Sequence, residues 1–138
     1  NRSGQYAESG KDGEAMKLIS TIALSGLVFG WVVSRPYATE TEAVASWYGA
    51  KYKGRPTASH HLNWKYSYFD PEQLTAAHKT LPFGTKLKVR LGPKSVIVVI
   101  TDRGPFIKGR DLDLSRKAFQ QLCHTDAGIL KVKVEVIK

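Results

Sequence analysis

Lys86-Leu87-Lys88-Val89-Arg90-Leu91-Gly92-Pro93-Lys94-Ser95-Val96-Ile97-Val98-Val99-Ile100-Thr101-Asp102 is the stretch that decides the fold class. Residues 86–91 alternate polar and apolar, the period of a half-buried β-strand, and Gly92-Pro93 supplies the turn behind it. Residues 96–100 are an unbroken β-branched run, which predicts a strand buried on both faces. Near the end of the chain Lys131-Val132-Lys133-Val134-Glu135-Val136 alternates again, as a strand closing a sheet or barrel would. The fold is therefore expected to be mainly β.

Between these strands Leu114, Ala118, Phe119 and Leu122 recur at helical spacing. Asp113 or Ser115 is placed to cap the start of that helix, and Gly128 follows its end. The stretch from Ser59 to Gln73 is polar and aromatic without a period and reads as a long surface loop. Upstream, the run Leu18–Val33 holds 16 residues without a charge and is followed by Arg35 and then acidic residues. That pattern reads as an export signal with small residues at Ala38 or Ala43 as cleavage points. If it is not cleaved it serves as a membrane anchor. No cysteine stands just after the run to take a lipid, so the expected location is the periplasm, cell envelope or exterior. The expected organisation is an upstream segment of no derivable role at 1–15, a signal peptide at 16–43 and one domain at 44–138.

A chain of 138 residues has room for one modest core, not for a two-domain enzyme, and 42% hydrophobic with 24% charged residues is the balance of a folded protein. From residue 44 onward, 17 Lys and Arg face 7 Asp and Glu, a net charge of +10. Such a surface attracts polyanions, and cell-wall polymers with carboxylates and phosphates meet the same Coulomb condition as nucleic acid. No run of five basic residues and no nucleic-acid motif is present, so nucleic acid is set aside. Cys123 is the only cysteine, which excludes an internal disulfide, and among Phe119, Leu122 and Ile129 it reads as a small core residue. The four histidines, His60, His61, His78 and His124, lack the spacing and the acidic or thiol companions of a metal site, and no cofactor is expected.

Two segments carry proton-transfer side chains at element ends: residues 74–85, which contain His78, and Thr101-Asp102-Arg103-Gly104-Pro105-Phe106. Asp102 follows an apolar strand and precedes a Gly-Pro turn, a half-desolvated place suited to a general acid; the competing reading is a carboxylate that only ties the turn or pairs with Arg103. His78 ends a small-residue strand before Leu81-Pro82-Phe83-Gly84, where an imidazole can stand beside that carboxylate or serve the structure alone.

Ala45-Ser46-Trp47-Tyr48-Gly49, Gly54-Arg55-Pro56-Thr57-Ala58, residues 74–85, residues 101–106 and Asp113-Leu114-Ser115 follow one another in an order and spacing that resembles the rare lipoprotein A-like proteins. The resemblance implies a six-stranded double-psi β-barrel with one short helix, related in architecture to expansins and barwin-like proteins. It implies an endolytic peptidoglycan transglycosylase that cuts between N-acetylmuramic acid and N-acetylglucosamine in peptide-free glycan and leaves 1,6-anhydro ends. It places the family's aspartate and histidine on Asp102 and His78. In such a cleavage the sugar's C6 hydroxyl replaces water, so Asp102 alone can act as acid and then base, with His78 binding substrate or tuning it. Peptidoglycan glycan strands are the expected partner and the protein is expected to act as a monomer.

Aromatic faces suit pyranose C–H faces, which makes Tyr48, Trp64 and Tyr66 candidate sugar contacts, with Trp64 and Tyr66 as exposed platforms and Trp47 as packing. Arg55 and Arg103 are candidates to hold muramyl carboxylates. The sequence departs from the family pattern where a groove glutamate is usual: Ser67 stands there, and Glu72 is the nearest substitute. That departure leaves a second reading open, a non-catalytic expansin-like module that binds cell-wall polysaccharide. A barwin-like inhibitor is the third, disfavoured by the single cysteine.

Overall fold

The computed structural model describes residues 39–138. The expected segment 1–15 and residues 16–38 of the expected signal peptide 16–43, with the apolar run, lie outside the described residues. Six strands close a barrel: β1 (Thr41–Tyr48), β2 (Thr75–His78), β3 (Lys86–Leu91), β4 (Lys94–Asp102), β5 (Leu112–Ser115) and β6 (Leu130–Ile137), in the order β1-β5-β2-β4-β3-β6. The first strand begins at Thr41, ahead of the domain start read at residue 44, and pairs with Val134 there.

The long side of the barrel is the part that alternation builds. β3 and β4 form a hairpin registered from Lys86↔Val99 to Leu91↔Lys94, with Gly92 at φ 55° in the turn, and β3 also pairs antiparallel with β6. Leu87, Val89, Val96, Val98, Ile100, Leu130 and Val132 point inward and are buried, while Lys86, Lys88, Lys131 and Lys133 face out. The run 96–100 is corrected by this pattern. Ile97 is 51% exposed and Val99 half-buried, so β4 is buried on one face only, its β-branched residues covering both. Continuous hydrophobicity marks β propensity, and the facing of each residue follows from its neighbours.

The short side is built from parallel pairs, β1 with β5 and β2 with β4, joined by β2 and β5 running antiparallel. Here the helix reading is also corrected. The helix α1 covers only Arg116–Gln120, and Leu114 belongs to β5, fully buried. Leu112 and Leu114 share the inner face at strand spacing, and the coincidence of Leu114 with Ala118 at four residues mimicked a helix. Ser115 caps α1, its Oγ accepting from the Ala118 N–H at 3.3 Å and donating to the Gln73 carbonyl at 2.5 Å. Gly128 instead follows a short 3-10 turn, Thr125–Ala127. Phe119 plugs the barrel beside Trp47, ring centres 6.3 Å apart, and Cys123 packs half-buried against the same core.

The connection from β1 to β2 is irregular but not merely superficial. Thr57, Ser59, Ser67 and Phe69 are buried within it. Its turns are tied by side chains: the Thr57 hydroxyl donates to the Tyr66 carbonyl at 2.9 Å, and the Ser67 hydroxyl accepts from the Trp64 N–H at 3.0 Å. Polar groups replace a strand ladder in satisfying this backbone.

Candidate active site

Four strands set one row of residues side by side. Ser46 on β1 pairs with Asp113 on β5, Asp113 with Ala77 on β2, and Ala77 with Asp102 on β4. Two carboxylates therefore flank one methyl group, on backbones two strand spacings or roughly 10 Å apart. Tyr48, Arg55, Ala77, Asp102, Phe106 and Asp113 are among the residues lining a groove of about 320 Å³ over this row.

Asp102 ends β4, and its Oδ1 accepts from the backbone N–H groups of Ala58 at 2.8 Å and Arg103 at 2.9 Å. The Ala58 bond links the groove carboxylate to the irregular connection. Among the described residues Oδ2 has no hydrogen-bond partner in the chain. Asp113 is half-buried, its Oδ1 accepting from the Ser46 hydroxyl at 3.1 Å. Burial raises the Asp113 carboxyl above the usual carboxylate range; the Ser46 hydrogen bond and the positive charge of Arg110 oppose the rise, and the negative charge of Asp102 adds to it. One groove thus holds a half-buried carboxyl group with a raised pKa beside a second carboxyl group anchored by two backbone donors.

His78 sits at the end of β2, half-buried, and does not line this groove. Its Nδ1 accepts from the N–H groups of Thr80 at 3.1 Å and Leu81 at 3.0 Å, which places the proton of the neutral ring on Nε2. Burial lowers its pKa from 6.5, the charges of Arg103 and Lys79 lower it further, and Asp111 opposes them. No hydrogen bond joins it to Asp102. Arg103 connects the two regions, its Nη1 donating to the carbonyls of His78 at 3.2 Å and Leu81 at 2.8 Å while the guanidinium lies 3.9 Å over the Phe83 ring. That arrangement makes Arg103 a brace for the turn after β2, with its side chain on the edge of the groove.

Arg55 lines the groove, exposed, with its guanidinium 5.4 Å from the Tyr52 ring centre. Trp64 and Tyr66 do not line it. They pack edge to face at 5.0 Å, both half-buried, and the Trp64 indole N–H donates to Ser59 at 3.1 Å. The expected exposure of this pair is corrected: both are half-buried, and the Trp64 ring lies where a Cβ placed on Gly84 would touch it, at 3.8 Å. The exposed aromatics are Tyr68, 61% exposed, and Phe106, 85% exposed at the groove lip. Ser67 is spent inside the connection, and Glu72 forms an ion pair with Arg116. Among the described residues no cluster of three His, Cys, Asp or Glu has the arrangement of a metal site.

Sequence reasoning used Asp113 as a possible helix cap and as part of a matching motif, without giving it a role in the site, and passed over Arg110 and Tyr52. The signal available for Asp113 was the alternation of Leu112-Asp113-Leu114, which buries both leucines and turns the aspartate to the opposite face.

The family described as lytic transglycolase matches residues 40–134. An endolytic peptidoglycan transglycosylase RlpA of Rickettsia prowazekii is 42% identical over 106 residues, covering 73% of this chain and 31% of that protein. The chain spans between 25% and 46% of the length of the curated relatives it matches. Among solved structures, a Streptomyces papain inhibitor superposes with a TM-score of 0.57 at 19% identity, covering 75% of this chain and 98% of its own. A Clavibacter michiganensis expansin in complex with cellohexaose gives 0.55 at 22% identity, covering 72% and 51%. These two likenesses bear on the fold, a barrel shared by proteins of different uses. By its match over residues 40–134 and by its closed six-stranded barrel, this chain belongs to the lytic transglycolase family of double-psi β-barrels.

Proposed function

We propose that this domain is an endolytic peptidoglycan transglycosylase acting in the cell envelope on peptide-free glycan, cleaving between N-acetylmuramic acid and N-acetylglucosamine. The observation that carries the reading is the pair of carboxyl groups flanking Ala77 in one groove, held in different environments. Environments that separate two carboxyl groups divide acid from base roles. Asp113, which burial keeps protonated to higher pH, donates its proton to the glycosidic oxygen as the bond from C1 to that oxygen breaks. Asp102 stabilises the positive charge developing at C1 and then takes the proton of the C6 hydroxyl as that oxygen bonds to C1, closing the 1,6-anhydro ring. Return of the proton from Asp102 to Asp113 through water restores the groove. Asp102 is thus given the base half of the role that the sequence resemblance assigned to it alone, and His78 acts from outside the groove through the turn that Arg103 braces.

The names of the relatives support this chemistry, and the basic surface suits an anionic polymer. A second reading, a wall-binding module without catalysis, is favoured by one observation: the connection at 59–73 brings no glutamate to the groove, since Ser67 is buried and Glu72 faces Arg116. Mass spectrometry of fragments released from peptide-stripped peptidoglycan by the full chain separates the two. Anhydro-ended fragments that fall about 100-fold or more in both Asp102→Asn and Asp113→Asn establish the transglycosylase. Sedimentation with glycan and no fragments from the parent establishes the binding module.

A further inference from the structure

The hydroxyl of Tyr48 is fully buried and has no hydrogen-bond partner. A buried polar group left unpaired costs stability, and native structures hold few of them, so each asks for an account. Thr75 on β2, the strand beyond β5, lies near it and its hydroxyl favours the ionised phenol, but no hydrogen bond joins the two. The ring itself is held firmly, 4.2 Å from Phe69 and 6.2 Å from Tyr52 between ring centres. The hydroxyl therefore cannot leave its place in search of a partner.

Tyr48 lines the groove, two residues after Ser46 on the same face of β1. Burial raises its pKa, and the charge of Asp102 raises it more than that of Asp113 does. Asp102 offers what the phenol lacks, since Oδ1 is taken by two backbone donors while Oδ2 accepts nothing within the described chain. An unused donor and an unused acceptor thus stand in one groove.

We propose that Tyr48 is a positioning residue whose hydroxyl donates to Asp102 Oδ2 only when a glycan strand fills the groove and excludes water from it. The inference rests on the glycan-cleaving reading above and adds to it the residue that orients its base. Part of the substrate's binding energy is then realised as a hydrogen bond inside the protein, made where and when the carboxylate must face C1. The free enzyme carries the unpaired hydroxyl as the cost of that arrangement.

The test is equilibrium binding of peptide-free glycan strands to the full chain as parent, Tyr48→Phe, Asp102→Asn and the double variant, with melting curves of all four. Tyr48→Phe keeps the ring and removes only the orphan, so its melting temperature is expected to equal or exceed the parent's. Its glycan affinity is expected to fall about tenfold, the effect of losing a hydrogen bond to a charged acceptor. In the Asp102→Asn background the same change is expected to cost less than about threefold. A lower melting temperature for Tyr48→Phe overturns the proposal and assigns the hydroxyl to Thr75. Equal affinity, or an equal loss in both backgrounds, overturns it as well. If the parent binds glycan without releasing fragments, only the transglycosylase reading fails and the cycle is still decided; if the parent does not bind, both fall.

Discussion

The two sides of the barrel are made in different ways. On the side of β3, β4 and β6 the strands pair over long antiparallel registers, and alternation puts apolar side chains in the interior and lysines outside. On the side of β1, β2 and β5, β2 and β5 have four residues each, two of the pairings are parallel, and the adjoining connection is held by hydroxyl groups of Thr57, Ser59 and Ser67. The first side is stabilised by area removed from water, which is non-directional and tolerant. The second is stabilised by polar contacts with defined geometry, and it is the side that carries the groove. Directional bonds fix where a carboxylate stands, as the Ala58 N–H does for Asp102, and apolar burial alone does not.

This contrast is open to direct attack. The largest effect is expected for Leu87→Ala, which empties a buried position on the inner face of β3 and should cost about 2–5 kcal/mol in denaturant melts. Ser67→Ala removes a hydroxyl bonded to the Trp64 N–H and the His60 carbonyl and should cost about 1 kcal/mol, while lowering glycan cleavage through displacement of the connection that holds Asp102. A loss for Ser67→Ala as large as for Leu87→Ala, or with cleavage untouched, would break the division between the two sides.

The smallest effect is a matter of pH. The folded protein holds the His78 pKa below 6.5, so the unfolded chain binds more protons in the interval beneath that value. Stability should therefore be fully present above pH 6.5 and decline as the pH falls toward the lowered folded value. With Arg103, Lys79 and Asp111 as the charges around the ring, His78→Gln should flatten this part of the melting-temperature profile, by less than the Ser67 effect. An unchanged slope would place the titration elsewhere.

How much of this was legible in the sequence follows the same division. β3 and β6 are readable because a half-buried strand writes its period directly into Leu87, Val89, Val132 and Val134. β4 was readable as a strand but not in its facing, since Ile97 is apolar and exposed. β5 was lost to a helix because Leu114 satisfies a spacing of two with Leu112 and of four with Ala118, and only pairing with β1 and β2 decides between them. Asp102 was identifiable from its place at a strand end. The alternation of Leu112-Asp113-Leu114 shows which way Asp113 faces, but its place beside Asp102 depends on a register with Ala77, 36 residues away in the chain, which no local pattern encodes.

The floor of the groove takes one residue each from β1, β5, β2 and β4, drawn from positions 46, 113, 77 and 102. No contiguous piece of the chain contains it, and parallel pairs need long crossovers before they can form. Assembly order follows. The hairpin of β3 and β4 has only a tight turn to close, whereas the row of Ser46, Asp113, Ala77 and Asp102 exists only after β1, β5, β2 and β4 have paired across long stretches of chain. A nascent chain therefore keeps its two groove carboxyl groups apart until β2, the strand between them, has paired on both of its edges.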